Sequence, residues 1–315
     1  MNKRVVSAMF LLIVVCSPLH AMEWMWLEKM RLSVQQLNYR GEFMHRRGDD
    51  TQVFSIVHRF TDGTATELLR QLDGHMIEVL RQGEKLTCYF PEGTESAAEH
   101  PVPAAPFSQL SEMGLEQISL AYTASEVGED RVAGYMANII KLTSDQWRYE
   151  YRFWLEKETH MLLQSEIIDS HGKVLEQFRF TRLELNVALS NQELRPKIEQ
   201  PALVQSSQVN HQSNQVKSDK VTLTWVPSGF LVNHSQTMAS ANGWTEKISY
   251  SDGLTSFSVF VDSQGLASSQ STMAKMGATT AIMVSRDKLG VTVVGEIPEQ
   301  TAMKLAQSVT LIKDF

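Results

Sequence analysis

Hydrophobic positions follow a helical period first and a strand period afterwards. Trp26, Met30, Val34 and Leu37 recur at spacings of four, four and three, which lines them along one helix face. After Asn38 the period shortens to two. In 52–60, Phe54, Ile56, His58 and Phe60 share one side while Ser55 and Arg59 take the other. In 149–155, Tyr149, Tyr151, Phe153 and Leu155 oppose Glu150, Arg152 and Trp154. The same alternation predicts strands at 64–72, 76–81, 85–90, 135–142, 161–168 and 174–182. Asp62-Gly63, Asp73-Gly74, Gln82-Gly83 and His171-Gly172 supply the turns between apolar runs. Successive hairpins of this kind make one antiparallel sheet, and a sheet that large tends to curl. The prediction is an α+β half-barrel with a helix covering its concave side and a hollow between them.

Aromatic residues vanish between Thr181 and Thr224, and 200–215 is polar and uncharged apart from His211. Such a stretch buries too little apolar surface to offset the entropy of ordering it, so it reads as a flexible linker. Beyond it lies a smaller α+β unit. Strands are expected at 221–225, 245–250, 255–261 and 291–294, and a closing helix begins near Pro298, with Ala302, Leu305, Ala306 and Val309 inward. The predicted organisation is 1–21 as a leader, 22–198 as the large domain, 199–220 as linker and 221–315 as the small domain. The segment 91–110, with four prolines and no periodicity, suits either a lid over the hollow or an excursion without structure.

The leader changes the setting. Lys3 and Arg4 precede the apolar run 9–15, which is too short to span a bilayer, and Ala21 before Met22 offers a small residue for cleavage. Export out of the cytoplasm follows as the expectation. Cys16 also permits a lipoprotein, although Val15 before it is bulkier than a lipidation site usually has. Losing the leader makes the formal charge of -7 more negative by two, which argues against nucleic acid as a partner. It also leaves Cys88 as the one remaining cysteine, without a disulfide partner in the same chain. Cys88 reads better as a small apolar strand residue than as a reactive thiol.

Motifs for chemistry are missing from the sequence. No histidine stands at metal-ligand spacing from a second ligand, there is no Cys-x-x-Cys, and no nucleophile elbow or phosphate-cradling glycine loop occurs. Neither a metal nor another cofactor is expected, and no catalytic residue is assigned. His58, alternating with Phe54, Ile56 and Phe60, reads as a hydrogen-bonded histidine of the core or cavity edge. The aromatic run Tyr149, Tyr151 and Phe153 either fills a core or lines a pocket for an apolar ligand.

Three further stretches point to a family. Trp225-Val226-Pro227-Ser228-Gly229-Phe230, the run from Tyr250 through Asp252-Gly253 to Val259, and Val293-Val294-Gly295-Glu296-Ile297-Pro298 resemble the C-terminal signatures of the RseB/MucB family. Leu72-Asp73-Gly74 before Glu78-Val79-Leu80-Arg81, and 172–178, resemble its N-terminal hairpins in order and spacing. The resemblance runs from about Met30 to Val309. It implies a large domain like the lipoprotein carriers LolA and LolB, and a periplasmic protein that restrains the sigma-E envelope-stress response. Such a protein binds the periplasmic segment of an RseA/MucA-type anti-sigma factor, shields it from the first protease, and is released by lipid or lipopolysaccharide. On that basis lipid contacts are expected at Phe54, Ile56, Tyr149, Tyr151 and Phe153, and anti-sigma contacts near Trp225, Phe230, Tyr250 and Phe257. The second group also suits a small domain's core. A lipid or lipoprotein carrier acting by transfer is the alternative function, an envelope hydrolase using scattered acids is a weaker one, and homodimerisation stays open.

Overall fold

The computed structural model describes residues 20–74, 76–83, 85–91, 112–198, 201–206, 218, 220–240, 243–265 and 271–312. The leader before His20, the prolines after Pro91 in 91–110, and 207–217 of the expected linker lie outside the described residues. Among the described residues, no helix is long and apolar enough to cross a membrane.

Helix α1 (His20–Gln36) spans the expected cleavage boundary, Ala21–Met22. Its buried stripe is Leu27, Met30 and Val34, so Leu27 replaces Trp26, which packs at the rim of the core. Spacings of three and four put these residues on one line.

The strands that follow are β1 (Tyr39–Arg47), β2 (Asp50–Thr61), β3 (Thr64–Gln71), β4 (Glu78–Gln82) and β5 (Lys85–Tyr89). Helix α2 (Glu112–Ala121) leads into β6 (Thr123–Val132), β7 (Tyr135–Thr143), β8 (Glu150–Glu156), β9 (Leu162–Ile168) and β10 (Val174–Leu185). With β11 (Pro201–Ser206) they form one antiparallel sheet of eleven strands, ordered β11-β5-β4-β3-β2-β1-β10-β9-β8-β7-β6. The outermost strands, β11 and β6, do not pair, so the sheet stays open. It nevertheless curls. β6 touches β10 although three strands lie between them, a separation of about 19 Å if the sheet were flat. Register shifts at Glu42/Phe43 in β1 and Glu126/Gly128 in β6 add local bends. α1 lies against β2, β9 and β6 on the concave side, as the half-barrel requires.

The outer face is covered differently. After β10 the chain crosses back over β2, β3 and β4, and Leu189 and Leu194 pack on Val57, Leu68 and Leu80. Glu78, buried in β4, anchors this strap: one carboxylate oxygen accepts from the amides of Lys197 (2.6 Å) and Ile198 (2.9 Å), the other from Arg70 Nε (2.6 Å). β11, inside the stretch read as linker, then pairs with β5. The polar residues around Pro201–Ser206 did not keep this segment from completing a sheet edge, because ladder bonds are made by main-chain groups.

The smaller domain pairs β12 (Val221–Leu223) with β19 (Val309–Leu311) beside a six-stranded sheet. That sheet is ordered β13 (Leu231–Ser240), β14 (Gly243–Ser251), β15 (Ser256–Asp262), β18 (Leu289–Gly295), β17 (Thr279–Arg286), β16 (Thr272–Met276). Helix α3 (Glu299–Ser308) follows Pro298 and lays Ala302, Leu305 and Ala306 into the core with Val259, Ile282, Val291 and Val293.

Candidate functional site

Two places in the fold gather the singled-out residues: the hollow under α1, and the seam between the domains.

Alternating side chains of β1, β2 and β10 build the floor of the hollow. Phe43 stacks on Phe54 at 5.3 Å between ring centroids and meets Phe178 at 4.8 Å; Tyr39 lies flat against His58 at 4.8 Å. Val34, Tyr39, Phe43, Ile56, Phe178 and Phe180 line a cavity there, closed further by Met161 and Leu162. Its volume is about 10 Å³, room for one water at most. This part of the hollow is apolar and packed closely by aromatic rings. His58 is buried, with Nδ1 2.8 Å from the Leu37 carbonyl oxygen, and burial holds its pKa below the usual value.

The seam is polar. Arg148, in the turn before β8, points its guanidinium into the small domain: Nε donates to Asp252 Oδ2 at 2.7 Å, and a terminal nitrogen donates to the Ser228 carbonyl. The Arg148 side chain is 1% exposed and that of Asp252 0%. Burial alone would lower the pKa of Arg148, but the hydrogen bond and charge of Asp252 outweigh it and leave it raised. Asp252 sits in the β14–β15 turn, where its other oxygen accepts from the amides of Leu254 and Thr255. Tyr122 Oη donates to the same Asp252 at 3.3 Å; burial, then the neighbouring Tyr151 and Asp252, push its pKa well up. The Phe230 ring lies under Arg148, 4.6 Å from the guanidinium carbon. Gln117 of α2 donates to the carbonyls of Gly229 and Ser251.

The seam continues on both sides of this centre. Thr301 of α3 donates to the Trp147 carbonyl, Trp147 meets Trp225 edge-on at 4.9 Å, and Lys304 lies over both rings. At the other end the β16–β17 turn rests on the large domain, where Glu176 accepts from the Ala278 amide at 3.1 Å. Gly277 in that turn has φ +59, and a Cβ there would stand 2.6 Å from both Arg47 and Glu176, so only glycine fits.

The expected lipid residues thus separate. Phe54 and Ile56 belong to the hollow. Tyr151 and Phe153 are stacked in the large core, and Tyr149 is a seam residue whose Oη donates to the Ile297 carbonyl. Of the expected anti-sigma residues, Phe230, Tyr250 and Phe257 are buried, with Tyr250 stacked on Phe257 at 4.9 Å, and Trp225 is half-buried against Trp147. In this arrangement a partner could touch Trp225 but not the other three. Arg148, Asp252, Gln117 and Tyr122 were not foreseen. The available signal was one arginine between aromatics, in Trp147-Arg148-Tyr149, opposite an Asp-Gly turn.

Two family descriptions match the chain, the MucB/RseB N-terminal domain over residues 23–198 and the MucB/RseB C-terminal domain over 215–310. The chain belongs to the MucB/RseB family. Similar MucB/RseB members include the sigma-E factor regulatory protein RseB of Escherichia coli K12, 30% identical over 291 residues, covering 90% of this chain and 89% of that protein. The sigma factor AlgU regulatory protein MucB of Pseudomonas aeruginosa is 28% identical over 292 residues with the same coverage. Among solved structures, the Pseudomonas aeruginosa MucA/MucB complex gives a TM-score of 0.76 at 27% identity, covering 93% of this chain and 100% of that one. MucB in complex with MucA(peri) gives 0.74 and MucB alone 0.59, both at 26% identity and 93% of this chain, covering 100% and 98% of theirs. Among these MucB structures, the whole-chain arrangement agrees better with the MucA complexes than with MucB alone.

Proposed function

We infer that this protein is a periplasmic regulator of a sigma-E-type envelope-stress factor. It binds the periplasmic segment of an RseA/MucA-type anti-sigma factor, slows the first proteolytic cut in that segment, and lets go when a lipid or lipopolysaccharide occupies the large domain. The observation that carries this reading is the agreement, across both domains, with MucB in its MucA complexes. The aromatic hollow supplies the chemistry for an acyl chain. The described cavity is only about 10 Å³, so entry of an acyl chain there requires α1 or the Phe43 and Phe180 rings to move. Lipid entry would then alter the protein's shape, and a ligand that favours one of two conformations must weaken the partner that favours the other.

The test is direct. Mature protein is titrated with the anti-sigma periplasmic segment of the same organism, and cleavage of that segment by the first protease is timed with and without saturating protein. Saturable binding and slowed cleavage are expected. Unchanged cleavage at saturation contradicts the reading.

A further inference from the structure

Domain arrangement is held at one point by a charge pair that water does not reach. Arg148 and Asp252 come from different domains, touch at 2.7 Å, and have side-chain exposures of 1% and 0%. The hydrogen bonds around them also cross the seam: Tyr122 to Asp252, Arg148 to Ser228, Gln117 to Gly229 and Ser251, Tyr149 to Ile297. Each of these groups can be rehydrated if the domains part. A buried ion pair gains little over two hydrated ions, because the desolvation cost of both charges offsets their attraction. It is nevertheless demanding about geometry, since either charge left buried alone is heavily penalised. Such a seam has two acceptable states, one with every group paired and one with every group in water. Intermediate separations are unfavourable.

We propose that Arg148, Asp252 and Tyr122 form an interdomain latch whose closed state is the form competent to hold the anti-sigma segment. The proposal rests on the function inferred above and adds the residues that regulate it. Two independent observations support it. The latch joins two turns of different domains, the one before β8 in the large domain and the β14–β15 turn in the small one. The whole chain also agrees with MucB in its MucA complexes at TM-scores of 0.76 and 0.74, against 0.59 for MucB alone, at 27%, 26% and 26% identity. Asp252 shapes its own turn through the Leu254 and Thr255 amides, so the latch charge is set rigidly in place. Arg148 is likewise braced by Asp145, at 3.1 Å, and by the face of Phe230.

The test uses the full mature chain and two readouts. Small-angle scattering without ligand measures how far apart the domains are, and titration with the anti-sigma segment measures affinity. Arg148→Met strands the Asp252 carboxylate, and Asp252→Asn keeps the turn acceptor while removing the charge. Each single variant is expected to enlarge the radius of gyration and to weaken segment binding at least about ten-fold. The double variant Arg148→Met with Asp252→Asn buries no charge and should recover most of the binding and the compact profile. Circular dichroism melting of each variant separates opening from unfolding, and recovery in the double variant cannot come from a misfolded chain. Wild-type scattering profile and affinity in both single variants would overturn the latch. If the unaltered chain fails to bind the segment while the single variants still open, the anti-sigma reading falls and the regulatory part of the proposal falls with it.

Discussion

Tyr149 Oη donates to the Ile297 carbonyl oxygen at 3.1 Å, joining the residue just before β8 to the one that precedes Pro298 and α3 across the seam. Burial raises the Tyr149 pKa, so the phenol stays a donor throughout the physiological range. Tyr149→Phe deletes that donor and leaves the ring. About 1 kcal/mol of seam stability should be lost, read as a lower denaturant midpoint. Amphiphile binding at the hollow should be unchanged. Tyr149→Asp replaces the ring and its donor with a buried charge, and should open the domains as seen by scattering.

Glu78 is the anchor of the strap, and its removal has a local signature. Glu78→Ala leaves Arg70 and the amides of Lys197 and Ile198 without their shared acceptor. Breaking one side of a buried charge interaction costs about 3–5 kcal/mol. Hydrogen exchange should speed at Lys197 and Ile198 before it speeds in β8 or β9. Uniform acceleration across the domain would show that Glu78 does not anchor the strap separately.

pH acts through His58 and Glu296 with opposite sign. His58 has its pKa lowered by burial, so the unfolded chain binds the proton more readily, and the stability from neutral His58 is lost as pH falls through about 6.5. His58→Gln should flatten that loss in urea midpoints measured between about pH 7.5 and 5. Glu296 has its pKa raised, by burial first and then by the charge of Glu176. Its penalty is present at neutral pH and is relieved as pH falls towards the raised value. Glu296→Gln should therefore stabilise the protein at neutral pH and have little effect in acid.

Ile56 tests the hollow without touching the seam. Ile56→Ala should cost about 2–5 kcal/mol from lost contacts and the space left behind, and it should enlarge a cavity lined by Phe43, Phe178 and Phe180. Tighter binding of a single-chain amphiphile is expected, measured by fluorescence displacement. Weaker binding would place the acyl site elsewhere.

Much of the fold was legible because alternation fixes which side chains share a face. Phe54, Ile56 and His58 do line the concave side, and the glycine turns at Gly63, Gly83 and Gly172 do take positive φ. Weakly patterned elements escaped. β6 is acidic and exposed along most of its length, α2 is short, and β11 is a short edge strand, inside a mostly polar stretch, that pairs through its backbone. The seam escaped for another reason. Arg148 and Asp252 lie 104 positions apart, and no periodicity of either segment announces a partner in a different domain. Periodicity placed Tyr149 beside Tyr151 and Phe153 on one face; it could not say that this face runs out of the hollow and into the seam.

The central claim is that amphiphile in the large domain and the anti-sigma segment oppose each other through a shared conformational equilibrium. Calorimetric titration of the segment into the protein, with and without saturating amphiphile, measures that coupling. Affinity should fall by about 5-fold or more in the presence of amphiphile; the same affinity in both titrations would contradict the account.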